Sequence, residues 1–243
     1  MVLAIDPTQG FTNVPLTSSS FIYQKPYNVP LKSRYSFDNG VRRFWVYSND
    51  EPFERGSNTR PRTEAQIKVR AFVKSPNQNL MISQKHTLLS YKYAMYLWDI
   101  IKILIRILME SDCHIYHPDY SSGIWQFEGY AFVPHGTSGA TILQIHGAAQ
   151  GNTTLLLRIY NGDMRYYDGE VIATGLYDKW FKVNLIHNVD EGRLMVYIND
   201  IKKYESHDQG PGDLYFKCGV YGAPSDTSKY MESRWRDIKI YKK

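Results

Sequence analysis

Cysteine is nearly missing from this chain. Its two thiols, Cys113 and Cys218, in 243 residues are too few for a disulfide framework, and neither stands at a metal-ligand spacing. The histidines do not make a metal site either, since His135, His187 and His207 are scattered without paired ligands. No long uncharged apolar run exists: the most apolar stretch, within residues 91–110, is interrupted by Asp99, Lys102 and Arg106, which speaks against a membrane span. The net charge of +5 is small and dispersed. Without a concentrated basic patch or a nucleic-acid motif, nucleic acid is excluded as a partner. An acidic glycan or a small polycarboxylate is the better electrostatic match. Gly210-Pro211-Gly212 leads into a strand-like run, not a helix, so it is a turn and not a phosphate loop. The opening Met1-Val2-Leu3-Ala4 is too short for the apolar region of a secretory signal, so no signal peptide is read in this chain.

What the chain has is aromatics and turns. Its 20 tyrosines, with 5 Trp and 10 Phe, suit pleated sheets and sugar-facing grooves alike. Turn formers such as Asp38-Asn39-Gly40 and Asp190-Glu191-Gly192 separate short strand-like runs at 44–47, 124–132, 141–146, 154–160, 164–167, 180–188, 193–199, 214–221 and 231–241. Many short strands at regular spacing predict one all-β domain over residues 1–243, a jelly-roll β-sandwich. The rhythm breaks once. No glycine occurs between Gly56 and Gly123, and residues 69–117 turn rich in Ile, Leu, Tyr and Lys. Within that insert Asp99, Lys102, Arg106 and Glu110 recur every three or four residues, which predicts an amphipathic helix over 91–110.

Three stretches place polar groups two residues apart: Arg62-Thr63-Glu64-Ala65-Gln66, Gln144-Ile145-His146 and Tyr215-Phe216-Lys217-Cys218-Gly219-Val220-Tyr221. In a strand such residues share a face. A guanidinium, an amide, an imidazole, an ammonium and a phenol on one surface can hold a carboxylate and move a proton beside it. Each has a plainer reading as well: Arg62 and Glu64 as a structural ion pair, Lys217 as a solvated cation, Tyr215 and Tyr221 as packing or edge residues. Cys218, on the opposite strand face from Lys217 and Tyr221, reads as core. Asn152-Thr153-Thr154 matches the N-glycosylation acceptor pattern.

These three stretches resemble the signature strands of the alginate lyase 2 family of jelly-roll polysaccharide lyases. The flanking text is closer still to that family's branch of plant citrate-binding proteins, in Asp6-Pro7-Thr8-Gln9-Gly10-Phe11-Thr12, Tyr120-Ser121-Ser122-Gly123-Ile124-Trp125-Gln126-Phe127-Glu128-Gly129-Tyr130 and Tyr230-Met231-Glu232-Ser233-Arg234-Trp235. The resemblance implies catalytic roles for Gln144, His146, Tyr221 and Arg62, and substrate binding by Glu64, Gln66, Lys217 and Tyr215. It implies β-elimination on a uronic-acid polymer with neither metal nor cofactor, or else non-catalytic binding of citrate or an anionic glycan. It further implies an extracellular or vacuolar setting; a monomer is expected. Where the lyases continue Arg-Ser/Thr-Glu-Leu-Arg, Gln66 keeps the hydrogen bonding and gives up a charge. In the family the first motif runs almost directly into the strand at 124–132. The roughly fifty intervening residues are far beyond ordinary loop lengths, so residues 69–117 read as a translated intron expected to lie outside the sandwich.

Overall fold

Asparagine-led turns close three of the hairpins from which the fold is built. Asn39-Gly40 (φ 46° and 78°), Asn161-Gly162 (51° and 86°) and Asn199-Asp200 (50° and 62°) each put two consecutive residues at positive φ. That is the type I′ geometry, whose twist matches that of the flanking strands. Asparagine, aspartate and glycine tolerate it where other residues do not.

The structure, a computed structural model, describes residues 6–69 and 120–243, which all belong to one compact unit. They form fifteen strands: β1 (Thr12–Val14), β2 (Phe21–Gln24), β3 (Tyr35–Asp38), β4 (Val41–Tyr47), β5 (Arg62–Ile67), β6 (Ile124–Phe132), β7 (Ala140–His146), β8 (Thr153–Tyr160), β9 (Asp163–Tyr166), β10 (Val171–Ala173), β11 (Trp180–Asn188), β12 (Arg193–Ile198), β13 (Ile201–His207), β14 (Tyr215–Gly222) and β15 (Tyr230–Lys242). One sheet runs β13-β12-β11-β6-β15-β4-β3, with β1 added along β15. The other runs β10-β9-β8-β7-β14-β5-β2. Every pairing between these strands is antiparallel. This is the all-β jelly-roll sandwich that the spacing of turns predicts.

Alternation supplies the core. Ala65 and Ile67 of β5, Leu143 and Ile145 of β7, Leu155, Leu157 and Ile159 of β8 and Phe216, Cys218 and Val220 of β14 point inward from one sheet. Trp125, Phe127 and Ala131 of β6, Phe181, Val183 and Leu185 of β11 and Trp235 of β15 meet them from the other. The Leu, Ile, Val and Phe side chains among them each contribute about 1.5–3 kcal/mol on full burial. Cys218 is a free, fully buried thiol pushed up to about 12 by that burial, so it packs as a small apolar group. Val69, at the start of the expected insert, is also buried in this core. The remainder of that segment, with the helix expected over 91–110, lies outside the described residues, as does Cys113.

Candidate functional site

Strands β5, β14 and β7 are neighbours in the middle of one sheet, and their register brings the three motifs together. Tyr221 stands opposite Arg62, Gly219 opposite Glu64, and Lys217 opposite both Gln66 and Gln144, while Tyr215 faces His146. Paired residues point to the same side of a sheet. All eight predicted residues therefore share the face turned away from the core.

Gly219 makes the centre of this face possible. Its φ of 144° favours glycine, and a Cβ there would stand 2.4 Å from the Thr63 carbonyl oxygen and 2.6 Å from Glu64 Cα. Glu64, its partner across the pair, uses the vacant position to reach two strands at once. Its carboxylate forms an ion pair with Lys217 Nζ at 2.6 Å and accepts a hydrogen bond from Gln144 Nε2. Arg62 Nη1 lies 3.8 Å from Oε2, the same oxygen that pairs with Lys217. Glu64, Lys217 and Gln144 are each only 1% exposed, so what a ligand meets first is the half-buried set of Arg62, Gln66, His146, Tyr215 and Tyr221. Lys217 is thus neither a solvated cation nor a free hand for substrate. Burial holds its ammonium below the ordinary lysine range, with Glu64 acting in the opposite sense.

The half-buried groups are themselves held in place. The Arg62 guanidinium lies over the Tyr221 ring, 4.0 Å from its centroid. His146 Nδ1 is 3.0 Å from the Tyr215 hydroxyl, and the two rings stack at 5.3 Å. Burial lowers the His146 pKa below its ordinary value, and the charges of Lys217 and Arg62 lower it further against an opposing pull from Glu64. The imidazole is therefore neutral at neutral pH and available to take a proton. Because the folded imidazole binds a proton less readily than the unfolded one, stability is highest above the ordinary histidine value of 6.5 and falls as acidification passes through it. His146→Gln is expected to lose less stability than wild type between about pH 7.5 and about pH 5, as measured by urea denaturation. Identical losses in both proteins would contradict this.

Sequence reading does not find the residues that continue the row through Tyr221. Thr141 of β7 stands opposite Tyr221, Arg158 of β8 opposite Thr141, and Arg165 of β9 opposite Arg158. The available signal was a lone arginine inside the apolar run Leu155-Leu156-Leu157-Arg158-Ile159. Among the described residues no group of His, Cys, Asp and Glu could hold a metal ion, and no helix is long and apolar enough to cross a membrane. His187 is buried between the Tyr120 hydroxyl (3.1 Å from Nδ1) and Asp208 Oδ2 (3.0 Å from Nε2).

The chain has relatives among known proteins. A family model described as alginate lyase matches residues 105–242. A citrate-binding protein of Hevea brasiliensis is 46% identical over 237 residues, spanning 98% of this chain and 79% of that protein. Alginate lyase AlgAT5 from polysaccharide lyase family 7 superposes with a TM-score of 0.58 at 15% identity, covering 92% of this chain and 95% of its own. An alginate lyase of Pseudomonas aeruginosa does so with a TM-score of 0.55 at 16% identity, covering 94% of this chain and 100% of its own. At such identities the two structures show a shared fold.

Proposed function

The chain belongs to the alginate lyase 2 family, and from that premise we propose that the polar face of β5, β14 and β7 binds a uronic-acid polymer and cleaves it by β-elimination. The observation that carries the reading is a neutral imidazole and a phenol on one sheet face, the phenol ring lying against a guanidinium. Arg62 neutralises the sugar carboxylate, which makes the C5 proton acidic. Gln144 gives one N–H to Glu64 and has a second for the same carboxylate. His146 takes the C5 proton, and Tyr221 gives its hydroxyl proton to the departing O4 oxygen as the double bond forms. Glu64 does not touch substrate in this scheme. It holds Gln144 and Lys217 in position from below.

A second reading is favoured by the Hevea relative, which is named for citrate binding. The same cradle would hold citrate or an anionic glycan without turnover. Both readings require Arg62 to meet a carboxylate. Arg62→Ala should weaken binding of citrate and of oligouronates about tenfold or more, the worth of a charged hydrogen bond. Wild-type affinity should fall as salt is raised. Isothermal titration at two salt concentrations measures both effects. Unchanged affinity in the variant would remove Arg62 from the site.

A further inference from the structure

The row of residues that continues from Tyr221 points to a second carboxylate contact. Arg62, Tyr221, Thr141, Arg158 and Arg165 are consecutive cross-strand partners on β5, β14, β7, β8 and β9. Arg158 is almost fully buried, its side chain 7% exposed, and its Nε donates to Thr141 Oγ1 at 3.2 Å. Its Nη1 pairs with Asp168, a carboxylate that also accepts from the Tyr160 hydroxyl and is itself 56% exposed. Arg165 donates to the Gly169 carbonyl oxygen at 3.1 Å, and no carboxylate among the described residues pairs with it.

Two arginines directly opposite each other on one sheet face repel, and such pairs weaken a sheet unless an anion lies between or above them. Asp168 compensates one guanidinium from the solvent side. The other is left to an external anion. Resting on the proposed carboxylate-binding function, we infer that Arg158 and Arg165 form a second carboxylate subsite of the same groove, so that the preferred ligand is a polymer and not a small polycarboxylate. Asp168 marks where a carboxylate sits against Arg158.

The spacing fixes the length of ligand required. Arg62 and the uncompensated Arg165 are separated by four strand spacings, roughly 19 Å. A 1,4-linked pyranose advances a glycan by about one such spacing, so carboxylates on the first and fifth sugars reach both arginines. Citrate carries its carboxylates within a single small molecule and spans only one of them. Engaging the second contact costs no further loss of translational freedom, so affinity should step up when the ligand becomes long enough.

The test titrates citrate and uronic-acid oligomers from dimer to hexamer into wild type, Arg158→Gln and Arg165→Gln. Arg158 is tied into the fold through Thr141 and Asp168, so the half-buried Arg165 serves as the variant that should fold normally. Wild-type affinity should rise about tenfold between tetramer and pentamer, and both substitutions should remove that step while changing citrate and dimer affinity less than twofold. Affinity independent of length from dimer to hexamer would overturn the second subsite alone. So would an Arg165→Gln variant that keeps the wild-type step. Wild-type protein that binds neither citrate nor any oligomer would overturn the carboxylate-binding function on which the subsite rests.

Discussion

Tyr221→Phe is expected to reduce formation of unsaturated product by about 10²–10⁴-fold, the usual contribution of a positioned acid or base, while leaving oligouronate affinity within a few-fold. The substitution keeps the aromatic ring that lies against Arg62, 4.0 Å from the guanidinium, so the cation–π contact and the position of the guanidinium persist. It deletes only the hydroxyl, and with it the proton needed by the departing O4 oxygen. An effect confined to turnover is what loss of a group acting in the transition state produces. Absorbance of the unsaturated product and isothermal titration on the same preparations separate the two quantities. A variant that cleaves at a tenth of the wild-type rate or faster would show that Tyr221 is not the acid. A parallel collapse of affinity would show that it is chiefly a binding residue.

Glu64→Ala is expected to cost about 3–5 kcal/mol of stability, because it leaves Lys217 as an unpaired buried cation and Gln144 without its acceptor. For a chain of this size about 1 kcal/mol shifts Tm by roughly 2–4 °C, so the loss should be plain in a thermal melt. The cause can be isolated. Replacing both members of a buried ion pair by apolar groups of similar volume is often close to neutral, so Glu64→Leu/Lys217→Met should recover much of what Glu64→Ala loses. A Glu64→Ala protein as stable as wild type would mean that the carboxylate is not compensating Lys217. If the double variant recovers stability yet forms no product, then the pair is held in this position for the site and not for the fold.

Much of the scaffold was legible before any coordinates. The boundaries of β6 and β11 agree with the sequence reading to the residue, because their apolar alternation is bounded on each side by turn chemistry. β13 was not legible. Ile201-Lys202-Lys203-Tyr204-Glu205-Ser206-His207 has no apolar alternation, since this edge strand is largely exposed and charged. Edge strands carry charge to discourage pairing with other chains. β10 is too short, at three residues, to declare itself.

The candidate site divides in the same way. Period-two spacing within each motif puts its polar groups on one face, and that much follows from the strand alone. The burial of Glu64, Lys217 and Gln144 does not follow. It depends on the register of β14 against both neighbours, which is set by pairing between residues far apart in the chain. The Arg158 row was hidden for a further reason. Simple alternation along β7 puts Ile142 on the face of Gln144 and His146, but a bulge between Thr141 and Leu143 brings Thr141 into register with Tyr221 and Arg158 instead.

The central claim is that one sheet face binds a carboxylated sugar chain and cleaves it by elimination. The most direct measurement is ultraviolet absorbance of the unsaturated sugar while wild-type protein is incubated with a panel of uronic-acid polymers. A steady rise on at least one polymer, absent from the Tyr221→Phe control, is the predicted result; a flat trace on every polymer from folded protein would contradict it.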